Sequence, residues 1–408
     1  MADTECIARL GCWAGYEYVE SWEEQRGQER WCVIRLRPVA GWQRVCSGCG
    51  VLSDAVHDAT ERRVRDLPIF EVAVELVMPR LRVSCGACGP KLEALGWLEP
   101  YARVTSRLAA SVARLCKLMT LQHVARYYGL AWTTVKLIDH RHLERELGPG
   151  ADLSDVTVIA MDEFAIQKGH RYATVVVEPS RKRVLWVGRG HGRDDVRPFF
   201  ELLGKEGCER LQAVAIDMNA AFELEIRLHC PQAHVVYDLF HVVAKYGREV
   251  IDRVRVDEAN RLRHDRPARR LVKGARWLLL RNRENVNAQA DQVRLKELLN
   301  ANRALFTVYV LRDDLKALWG YRHPGYAKQF WQHWYRRAMS SGIQPLKTFA
   351  QRLKPYLAGI LAHCRWPLGT NIVEGINNTI KVIKRMAYGY RDDAYFFLRI
   401  RAAFPGIR

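Results

Sequence analysis

Apolar residues recur with two different periods along this chain, and the change of period divides it into segments. Residues 104–147 carry apolar side chains at helical spacing with few helix-breaking residues. After the Gly-Pro-Gly at 148–150, short apolar runs typical of β-strands replace that pattern, and helical spacing returns from 241 to 365. The sequence therefore predicts a helical segment, a segment that mixes strands and helices, and a long second helical segment.

The mixed segment predicts the order strand, strand, strand, helix, strand, helix, strand, which describes a mixed sheet of ribonuclease H type. Three of its apolar runs are followed directly by an aspartate: residues 156–161 by Asp162, 211–216 by Asp217 and 234–237 by Asp238. Because helical crossovers make these three strands parallel, we expect the three carboxylates to share one edge of the sheet.

Carboxylates in this arrangement favour a site for divalent metal. Neighbouring carboxylates repel one another, and a hard cation such as Mg²⁺ or Mn²⁺, which prefers oxygen ligands, relieves that repulsion. Two such ions about 3.5–4 Å apart can activate an attacking oxygen and stabilise the leaving oxygen in phosphoryl transfer. One aspartate after a strand is usually a turn former or a helix N-cap, whereas three in this order favour the metal site.

Four of the 11 cysteines form two C-x-x-C-G pairs: Cys46 with Cys49, and Cys85 with Cys88. Each pair closes a tight turn that presents two thiolates, and the following glycine permits a positive φ. Four sulfurs complete one structural Zn²⁺ site, which predicts a zinc ribbon with strands at 67–77 and 80–85. The alternative is two unrelated buried or redox pairs. Single cysteines are expected in the core, among them Cys116, Cys208, Cys230 and Cys364.

A helix-turn-helix follows from the spacing of three residues. Ala125 lets two helices cross closely, Gly129 makes the turn, and Val135 seats a second helix at about 132–143. That helix offers polar side chains for phosphates or base edges, namely Thr133, Thr134, Lys136, His140 and Arg141. A helical hairpin with a glycine turn is also common in folds that do not bind DNA, but the neighbouring zinc ribbon and the basic charge favour DNA binding.

The charge balance points to a polyanionic partner. There are 64 Lys+Arg against 45 Asp+Glu, a net charge of +19 with a pI of about 9.6. Without an 18-residue apolar run or a signal peptide, we expect a cytoplasmic protein that does not span a membrane. The segment 261–283 holds nine Lys/Arg and one acid, so Arg269 and Arg270 are candidate DNA contacts, although a charge run is usually a solvated face.

The aromatic run 330–337 is expected mainly to fill a helical core.

A final helix is predicted from residue 371, and it combines an acid with amide and basic side chains. One face carries Glu374, Asn378, Lys381 and Arg385. This order suits a metal ligand that continues into a phosphate-binding ridge. The Asn-x-x-Glu at 371–374 is also a capping-box pattern, but residues 375–391 contain four Lys/Arg and no acid, which a cap alone does not require.

These motifs together resemble those of bacterial insertion-sequence transposases of the ISL3 family, which have a DDE catalytic domain. The resemblance runs from about Cys46 to Arg401, and the first 40 or so residues are the least family-specific part. Besides the cysteine pairs and the helix-turn-helix, its carriers are Arg63–Pro68, Met161–Ala165, Lys168–Tyr172, Ile216–Met218, Asp238–Val242, Asn371–Lys381 and Lys384–Tyr390. Each motif alone is moderately specific, and their joint order is specific.

The resemblance implies that Asp162, Asp217 and Glu374 are the catalytic triad and hold two Mg²⁺ or Mn²⁺ ions. The long helical stretch would be an insertion between the second aspartate and the glutamate. Asp238 and His241 match a D-x-x-H element that supports the active site in related transposases. DNA contacts are further expected on the final helix, from Lys381, Lys384 and Arg385. Since transposon ends must be paired, a homodimer or higher oligomer is implied.

The sequence thus predicts a multidomain α/β protein in five segments: a β-rich zinc-ribbon domain at 1–98, a helix-turn-helix domain at 99–150, a ribonuclease-H-like catalytic domain at 151–240, an α-helical insertion at 241–365, and the C-terminal catalytic helix at 366–408. The predicted function is a DNA transposase that binds terminal inverted repeats, cleaves DNA and transfers the strand to target DNA. The alternatives are a DNA-binding regulator without catalysis and a related nuclease without strand transfer.

Overall fold

The computed structural model describes residues 11–53, 55–148, 150–167, 169, 171–281, 283–368 and 371–407, except for the side chains of Arg283 and Asn371. The chain divides into two compact units, Met1–Glu146 and Leu147–Arg408. In the part of the chain that is described, we find no helix long and apolar enough to cross a membrane.

The first unit begins with a five-stranded sheet. Its strands are β1 (Tyr16–Arg26), β2 (Glu29–Pro38), β3 (Val56–Ile69), β4 (Val72–Cys85) and β5 (Gly89–Leu92). Their order is β1-β2-β4-β3, with β5 paired to the end of β4. The pairing of β2 with β4 is parallel, and the other pairings are antiparallel. Buried residues of β2 and β4 give this sheet an apolar core that includes Ile34, Leu36, Leu76 and Met78.

The predicted strand limits in the ribbon hairpin were wrong. A strand was predicted over 67–77, but the chain turns at Phe70 and Glu71, whose φ angles are 47° and 68°. The first part of the predicted run therefore belongs to β3 and the rest to β4. The turn contains none of the Gly, Pro or Asn residues that usually mark one, so the apolar run concealed it.

Three helices complete the first unit, α1 (Ser106–Cys116), α2 (Leu121–Tyr128) and α3 (Trp132–Leu147). Gly129 ends α2 in the left-handed region with φ of 58°, and Ala125 and Val135 are buried between the helices. Each residue therefore does what its spacing predicted. The helix α3 continues past the predicted end at Leu143.

A buried aspartate joins the sheet of this unit to its first helix. Asp66 on β3 accepts hydrogen bonds from Trp13 Nε1 at 3.2 Å and from Thr105 Oγ1 at 2.6 Å, and it pairs with Arg107. Thr105 is also the N-cap of α1. Burial would raise the pKa of Asp66, but the hydrogen bonds from Arg107 and Thr105 outweigh it and hold that pKa below its usual value.

The second unit contains a mixed sheet of five strands. They are β6 (Val158–Gln167), β7 (Arg171–Glu178), β8 (Arg183–Arg189), β9 (Ala213–Ile216) and β10 (His234–Tyr237). Helices α4 (Arg193–Arg210) and α5 (Ala220–His229) precede β9 and β10 respectively. The spatial order is β10-β9-β6-β7-β8, with β6, β9 and β10 parallel and β7 antiparallel to both of its neighbours. The predicted order of elements is confirmed.

The first strand of this sheet does not end before Asp162, as predicted, but continues to Gln167. Its pairing with β9 covers only Val158–Ala160, whereas its pairing with β7 extends through Asp162 to Gln167. The antiparallel partner supplies the backbone hydrogen bonds that keep the extension in strand conformation. Asp162 therefore lies within a strand, just past the point where the parallel neighbour ends.

Helices fill most of the chain after β10. They are α6 (Leu239–Tyr246), which continues through a π-turn at Gly247–Ile251, α7 (Asp252–Arg261), α8 (Arg266–Gly274), α9 (Arg276–Leu280), α10 (Gln289–Ala301), α11 (Arg303–Ala317), α12 (Pro324–Ser340), α13 (Gln344–Leu353) and α14 (Leu357–Ala362). The aromatic run 330–337 lies on α12, where Trp331 and Trp334 are buried and Trp334 Nε1 donates to the Leu311 carbonyl at 2.8 Å. Its predicted role in the core is confirmed for these residues.

Two further helices, α15 (Asn371–Met386) and α16 (Asp393–Ala403), follow this segment. Val373, Ile376 and Ile380 of α15 share one apolar cluster with residues of β6 and β7. This packing fixes the rotation of α15 about its axis and places Glu374 beside the sheet. Among the single cysteines, Cys116, Cys208 and Cys230 are buried as predicted, while Cys364 is half-buried.

Candidate functional site

Strand register brings three aspartates to the same level of the sheet in the second unit. Ala160 pairs with Ala215, so Asp162 and Asp217 each lie two residues beyond a paired position. Tyr237 pairs with Ile216, which places Asp238 level with Asp217. Because β6, β9 and β10 are parallel neighbours, the three residues share one edge of the sheet.

A cleft of about 540 Å³ opens at this edge. Asp162, Asp217 and Glu374 all line it. The structure therefore brings together the three acids that the sequence predicted as a triad, from two strands and from α15. The other lining residues are Glu163, Phe164, Ala165, Phe240, His241, Asn377, Ile380, Lys381 and Lys384.

The two aspartates of the cleft are held in different ways. Asp162 Oδ1 accepts a hydrogen bond from the Glu163 N–H at 2.8 Å, and Asp162 Oδ2 accepts one from Asn377 Nδ2 at 2.7 Å. In contrast, Asp217 Oδ1 is buried and has no hydrogen-bond partner among the described residues. An unpaired buried carboxylate oxygen is costly, so this atom indicates a site that expects a further group.

Burial dominates the electrostatics of both carboxyls. It raises the pKa of Asp162 to about 6, against the opposing influence of the Glu163 N–H and His241. Burial also raises the pKa of Asp217, and His241 again opposes it. A bound cation would favour the ionised forms of both groups. The oxygen donors, the unpaired Asp217 Oδ1 and the raised pKa values all fit a hard divalent cation.

Asp238 and His241 lie behind and beside these acids. Asp238 is buried and caps α6, where its Oδ1 accepts a hydrogen bond from the Phe240 N–H at 3.0 Å. His241 lines the cleft, and its Nε2 is 3.8 Å from Asp238 Oδ2. Asp238 therefore contacts the His241 side chain rather than lining the cleft itself.

The face of α15 that meets the cleft differs from the predicted face. Glu374 and Lys381 line the cleft, but Asn378 and Arg385 do not; Asn377 and Lys384 take their places. Packing of the apolar side of α15 turns the helix slightly from the orientation that a simple helical count from Glu374 suggests. Lys384 Nζ also donates to the Ala165 carbonyl at 2.8 Å.

Sequence reasoning did not assign a role to two features of this cleft. The first is Asn377, which is buried and bonded to Asp162. Its signal was present, because Asn377 lies on the buried side of an amphipathic helix, where an amide needs a partner. The second is a contact between Glu163 Oε2 and His191 Nδ1 at 2.8 Å, which no local pattern indicates.

The predicted DNA contacts of the helix-turn-helix lie on the surface of the first unit to different degrees. Thr133 and Arg141 are exposed, whereas Thr134 and Lys136 are half-buried, and Lys136 Nζ is 6.0 Å from the ring centre of Trp132. In the second unit, Arg269 and Arg270 are exposed on α8, and Arg385 is exposed on α15. Lys168 and His170 of the predicted motif, and the Asn371 side chain of the capping-box pattern, lie outside the described part of the chain.

The four predicted zinc ligands come together in the first unit. The sulfurs of Cys46, Cys49, Cys85 and Cys88 all lie within 4.8 Å of one another. The glycines after each pair, Gly50 and Gly89, have φ angles of 74° and 68°, as predicted. Backbone N–H groups of Cys88 and Ala87 lower the pKa of the Cys85 thiol to about 7. Four sulfurs at this spacing are the ligand set of a structural Zn²⁺ ion.

Three family models match successive parts of the chain. A zinc-finger model of the IS204/IS1001/IS1096/IS1165 transposases matches residues 42–88, and a helix-turn-helix model of the ISL3 transposase family matches 93–143. A transposase model of the ISL3 DDE type matches residues 159–400. The three matches cover the cysteine cluster, the helix-turn-helix and the carboxylate cleft.

Whole proteins also align with this chain over nearly their full lengths. The transposase for insertion sequence element IS1001 of Bordetella parapertussis is 58% identical over 409 residues, which cover 100% of this chain and 99% of the relative. The transposase for insertion sequence element IS1557 of Mycobacterium tuberculosis is 27% identical over 402 residues, or 92% of this chain and 89% of the relative. These similarities extend over both compact units.

Proposed function

This chain belongs to the ISL3 family of insertion-sequence transposases, and from that premise we propose that Asp162, Asp217 and Glu374 are its catalytic residues. The family makes it a DNA-binding enzyme of transposition, with a zinc ribbon, a helix-turn-helix and a DDE catalytic domain. The observation that carries the residue assignment is the cleft that these three acids line together.

The same three acids would hold two Mg²⁺ or Mn²⁺ ions. When bound, the cations supply charge neutralisation at the phosphate and activation of the attacking oxygen. Asn377 and the Glu163 N–H fix the two oxygens of Asp162, and Asp217 Oδ1 has no competing partner among the described residues. Lys381 on the wall of the same cleft offers a positive charge to the DNA backbone.

Two phosphoryl transfers would follow in this one cleft. In the first, a water oxygen bonds to the phosphorus at the element end, and the bond from phosphorus to the 3′ oxygen breaks. In the second, the freed 3′-hydroxyl attacks a phosphorus of target DNA, and a target 3′ oxygen leaves. The protein contributes positioning and charge in both steps and forms no covalent bond to DNA.

A ribonuclease-H-like domain interrupted by a helical insertion is our interpretation of the second unit. The strand order β10-β9-β6-β7-β8, and helices that occupy the chain from Leu239 to Ala362 before Glu374 is reached, support it. The five predicted segments, 1–98, 99–150, 151–240, 241–365 and 366–408, are proposed as the domains of the chain.

The zinc ribbon and helix-turn-helix would recognise the terminal inverted repeats. Exposed Thr133 and Arg141 on the second helix of that motif, together with Thr134 and Lys136, are the proposed contacts. The exposed Arg269, Arg270 and Arg385 would contact phosphates. A homodimer or higher oligomer that pairs two element ends in the bacterial cytoplasm, associated with the nucleoid, completes the proposal.

The test uses DNA that carries the inverted repeats flanking the gene, incubated with full-length protein and Mg²⁺ or Mn²⁺. We expect nicks at the element end and strand-transfer products, both lost in Asp162→Asn and both kept in Asp194→Asn, an exposed acid at the start of α4. Full nicking by Asp162→Asn would overturn the residue assignment. Nicks without joined products would favour a nuclease, and binding without metal-dependent nicks would favour a regulator.

A further inference from the structure

We propose that Asn377 is a positioning residue that couples Glu374 to Asp162. This inference rests on the proposed function, since it assumes that both acids hold metal. The Asn377 side chain is 8% exposed, and its Nδ2 donates to Asp162 Oδ2 at 2.7 Å across 215 residues of sequence. Asn377 is also one helical turn from Glu374 on α15. One hydrogen bond therefore sets the Asp162 carboxylate against the helix that presents Glu374.

The other end of the Asn377 amide has no partner among the residues that the structure describes. Its Oδ1 is buried and makes no hydrogen bond with any described residue, although the side chain borders the cleft. A buried amide oxygen without a donor costs stability, so its presence indicates a donor that arrives with the contents of the cleft. Water held by a hydrated divalent cation is the donor that the chemistry of this cleft would supply.

Binding of Mn²⁺ to the free protein tests this role without depending on activity. Asn377→Leu keeps the branched shape and the number of side-chain heavy atoms but removes the donor to Asp162. We expect Mn²⁺ affinity to fall about tenfold, as is usual when a partner of a metal ligand is lost, and saturating Mn²⁺ to restore much of the DNA nicking. Thr379→Ala, which removes an exposed side chain from the same helix, should leave the affinity unchanged. The readouts are electron paramagnetic resonance of bound Mn²⁺ and a nicking titration.

Unchanged Mn²⁺ affinity in folded Asn377→Leu would overturn the positioning role. If that variant does not fold, Asn377→Ser removes the same contact with less apolar bulk. Unchanged Mn²⁺ affinity in Asn377→Ser would then overturn the positioning role. Asp162→Asn separates this inference from the proposed function. If Asp162→Asn retains full Mn²⁺ affinity, the metal site itself is wrongly assigned. If Asp162→Asn loses Mn²⁺ affinity while Asn377→Leu keeps it, only the role of Asn377 is rejected.

A second inference concerns the end of the same helix, where we infer that Tyr388 is a stacking platform for an unpaired nucleobase. It also rests on the proposed function, because it assumes that DNA enters the cleft. Tyr388 is 95% exposed and has a φ of 54°, in the left-handed region. Its N–H bonds to the Arg385 carbonyl and the Gly389 N–H bonds to the Lys384 carbonyl, so Tyr388 occupies the helix-ending position that glycine usually takes.

The backbone around Tyr388 is held in place. Tyr390 stacks on Phe396 with ring centres 4.4 Å apart, and its carbonyl accepts a hydrogen bond from Gln167 at 3.5 Å. On the other side, Lys384 lines the cleft and bonds to the β6 backbone. An exposed aromatic ring therefore projects from a fixed loop one helical turn beyond the cleft. The left-handed backbone at Tyr388 costs conformational free energy, and burial of the ring does not offset it.

The charge around this ring matches a nucleic acid. Residues 381–391 contain four Lys/Arg and no acid. Aromatic rings beside basic side chains are the usual surface for single-stranded DNA, since every base has a face that can stack. An unpaired base near a cleaved strand end is the occupant to which the position and the charge point.

One variant of Tyr388 should change thermal stability and DNA affinity in opposite directions. Tyr388→Gly removes both ring and backbone cost, so we expect its thermal midpoint to rise by about 2 °C while its affinity for a duplex with a five-nucleotide single-stranded tail falls about tenfold. Tyr388→Ala should lose the same affinity without the gain in midpoint, and Tyr388→Phe should match the unchanged protein in both. Blunt duplex binding should not change in any of them.

Tyr326→Ala removes another exposed tyrosine, on α12, and serves as the control that keeps tailed-duplex affinity. Equal affinity of Tyr388→Ala and the unchanged protein for the tailed duplex would overturn the stacking role. Because this measurement needs no cleavage, that result together with Asp162-dependent nicking would leave the proposed function in place.

Discussion

The cysteine cluster and the carboxylate cleft are both built to hold metal, yet they are assembled in opposite ways. The cysteines come from two turns of one sheet, with Cys49 and Cys85 only 36 residues apart and their sulfurs at 3.5 Å. The acids come from two strands and a helix, and Asp162 meets α15 across 215 residues. Among the described residues, only the cysteines bring three or more ligand atoms within 4.8 Å of one another.

This difference fits the roles proposed for the two sites, a structural site for the cysteines and a catalytic site for the acids. The sulfurs already surround a space that suits one tetrahedral ion, so the cluster closes on Zn²⁺ and leaves no position for substrate. In the part of the chain that the structure describes, Asp217 Oδ1 and Asn377 Oδ1 have no hydrogen-bond partner, and Glu374 is exposed. A closed site stabilises the fold, whereas an open site gives up stability to keep ligand positions free.

Loss of one cleft acid should have the largest effect and should leave the cluster intact. We expect Asp217→Asn to lower metal-dependent nicking about 1,000-fold, because metal at a phosphoryl-transfer site supplies several kcal/mol of transition-state stabilisation. Zinc content, measured by mass spectrometry, should remain about one per chain. Nicking within tenfold of normal would contradict the comparison, and Asp194→Asn provides the control.

Loss of one cluster ligand should have the complementary effect. In Cys85→Ser, zinc should be absent and the affinity for element-end duplex should fall about 100-fold, because folding of a small zinc module depends on its metal. Mn²⁺ affinity of the cleft should stay normal. The control is Cys32→Ser, a half-buried cysteine of the same unit. Zinc at a 1:1 ratio in purified Cys85→Ser would show that the cluster is not the zinc site.

Loss of the exposed basic residues of α8 should weaken DNA binding and flatten its dependence on salt concentration. Arg269→Ala combined with Arg270→Ala should reduce the slope of log affinity against log salt by about 1.8, the value for two lost phosphate contacts. Filter binding at several salt concentrations measures it. Lys205→Ala on α4 should not alter the slope, and an unaltered slope in the double variant would identify a merely solvated face.

The smallest effect is a pH-dependent change in stability. The folded-state pKa of Asp162 is about 6, above its ordinary value of 3.8, so the folded state holds this proton more tightly. The free energy of unfolding should therefore fall as pH rises from about 4 to 6. Asp162→Asn cannot ionise and so avoids this fall in the free energy of unfolding. Its thermal midpoint should exceed that of the unchanged protein by about 2–4 °C at pH 7.

That difference should disappear below about pH 4, where Asp162 is protonated in both states. The measurement is thermal denaturation followed by circular dichroism, in buffer without added divalent cation and without a chelator that would strip zinc. A lower midpoint for Asp162→Asn at pH 7 would show that the carboxylate is not destabilised by burial. Added Mn²⁺ should raise the thermal midpoint of the unchanged protein but not that of Asp162→Asn.

The sequence predicted the order of the catalytic sheet because each buried strand is a short apolar run with a clear helix between the last two. It did not predict that β6 continues to Gln167, because a distant antiparallel partner stabilises that extension. The turn at Phe70 and Glu71 was hidden for a related reason, since no turn-forming residue marks it. Local patterns identified the elements, and non-local pairing decided their limits.

The acids of the cleft could be predicted, but their neighbours could not all be. Asp162 and Asp217 follow from strand order and register. The rotation of α15 depends on how Val373, Ile376 and Ile380 pack against the sheet, and it decides that Asn377 rather than Asn378 faces the cleft. A helical count from Glu374 gives a face, but only packing selects which edge of that face lines the cleft.

The Asp66 contacts limit how the DNA-recognition modules of such proteins can be exchanged. Asp66 lies on β3, which pairs with the strand that ends at Cys85, whereas its partners Thr105 and Arg107 lie at the start of the first helix. A chimaera joined between them would leave a buried carboxylate without its cation, or Arg107 without its anion. Engineers who wish to redirect this recognition unit to a new DNA sequence should transplant Asp66 together with Thr105 and Arg107.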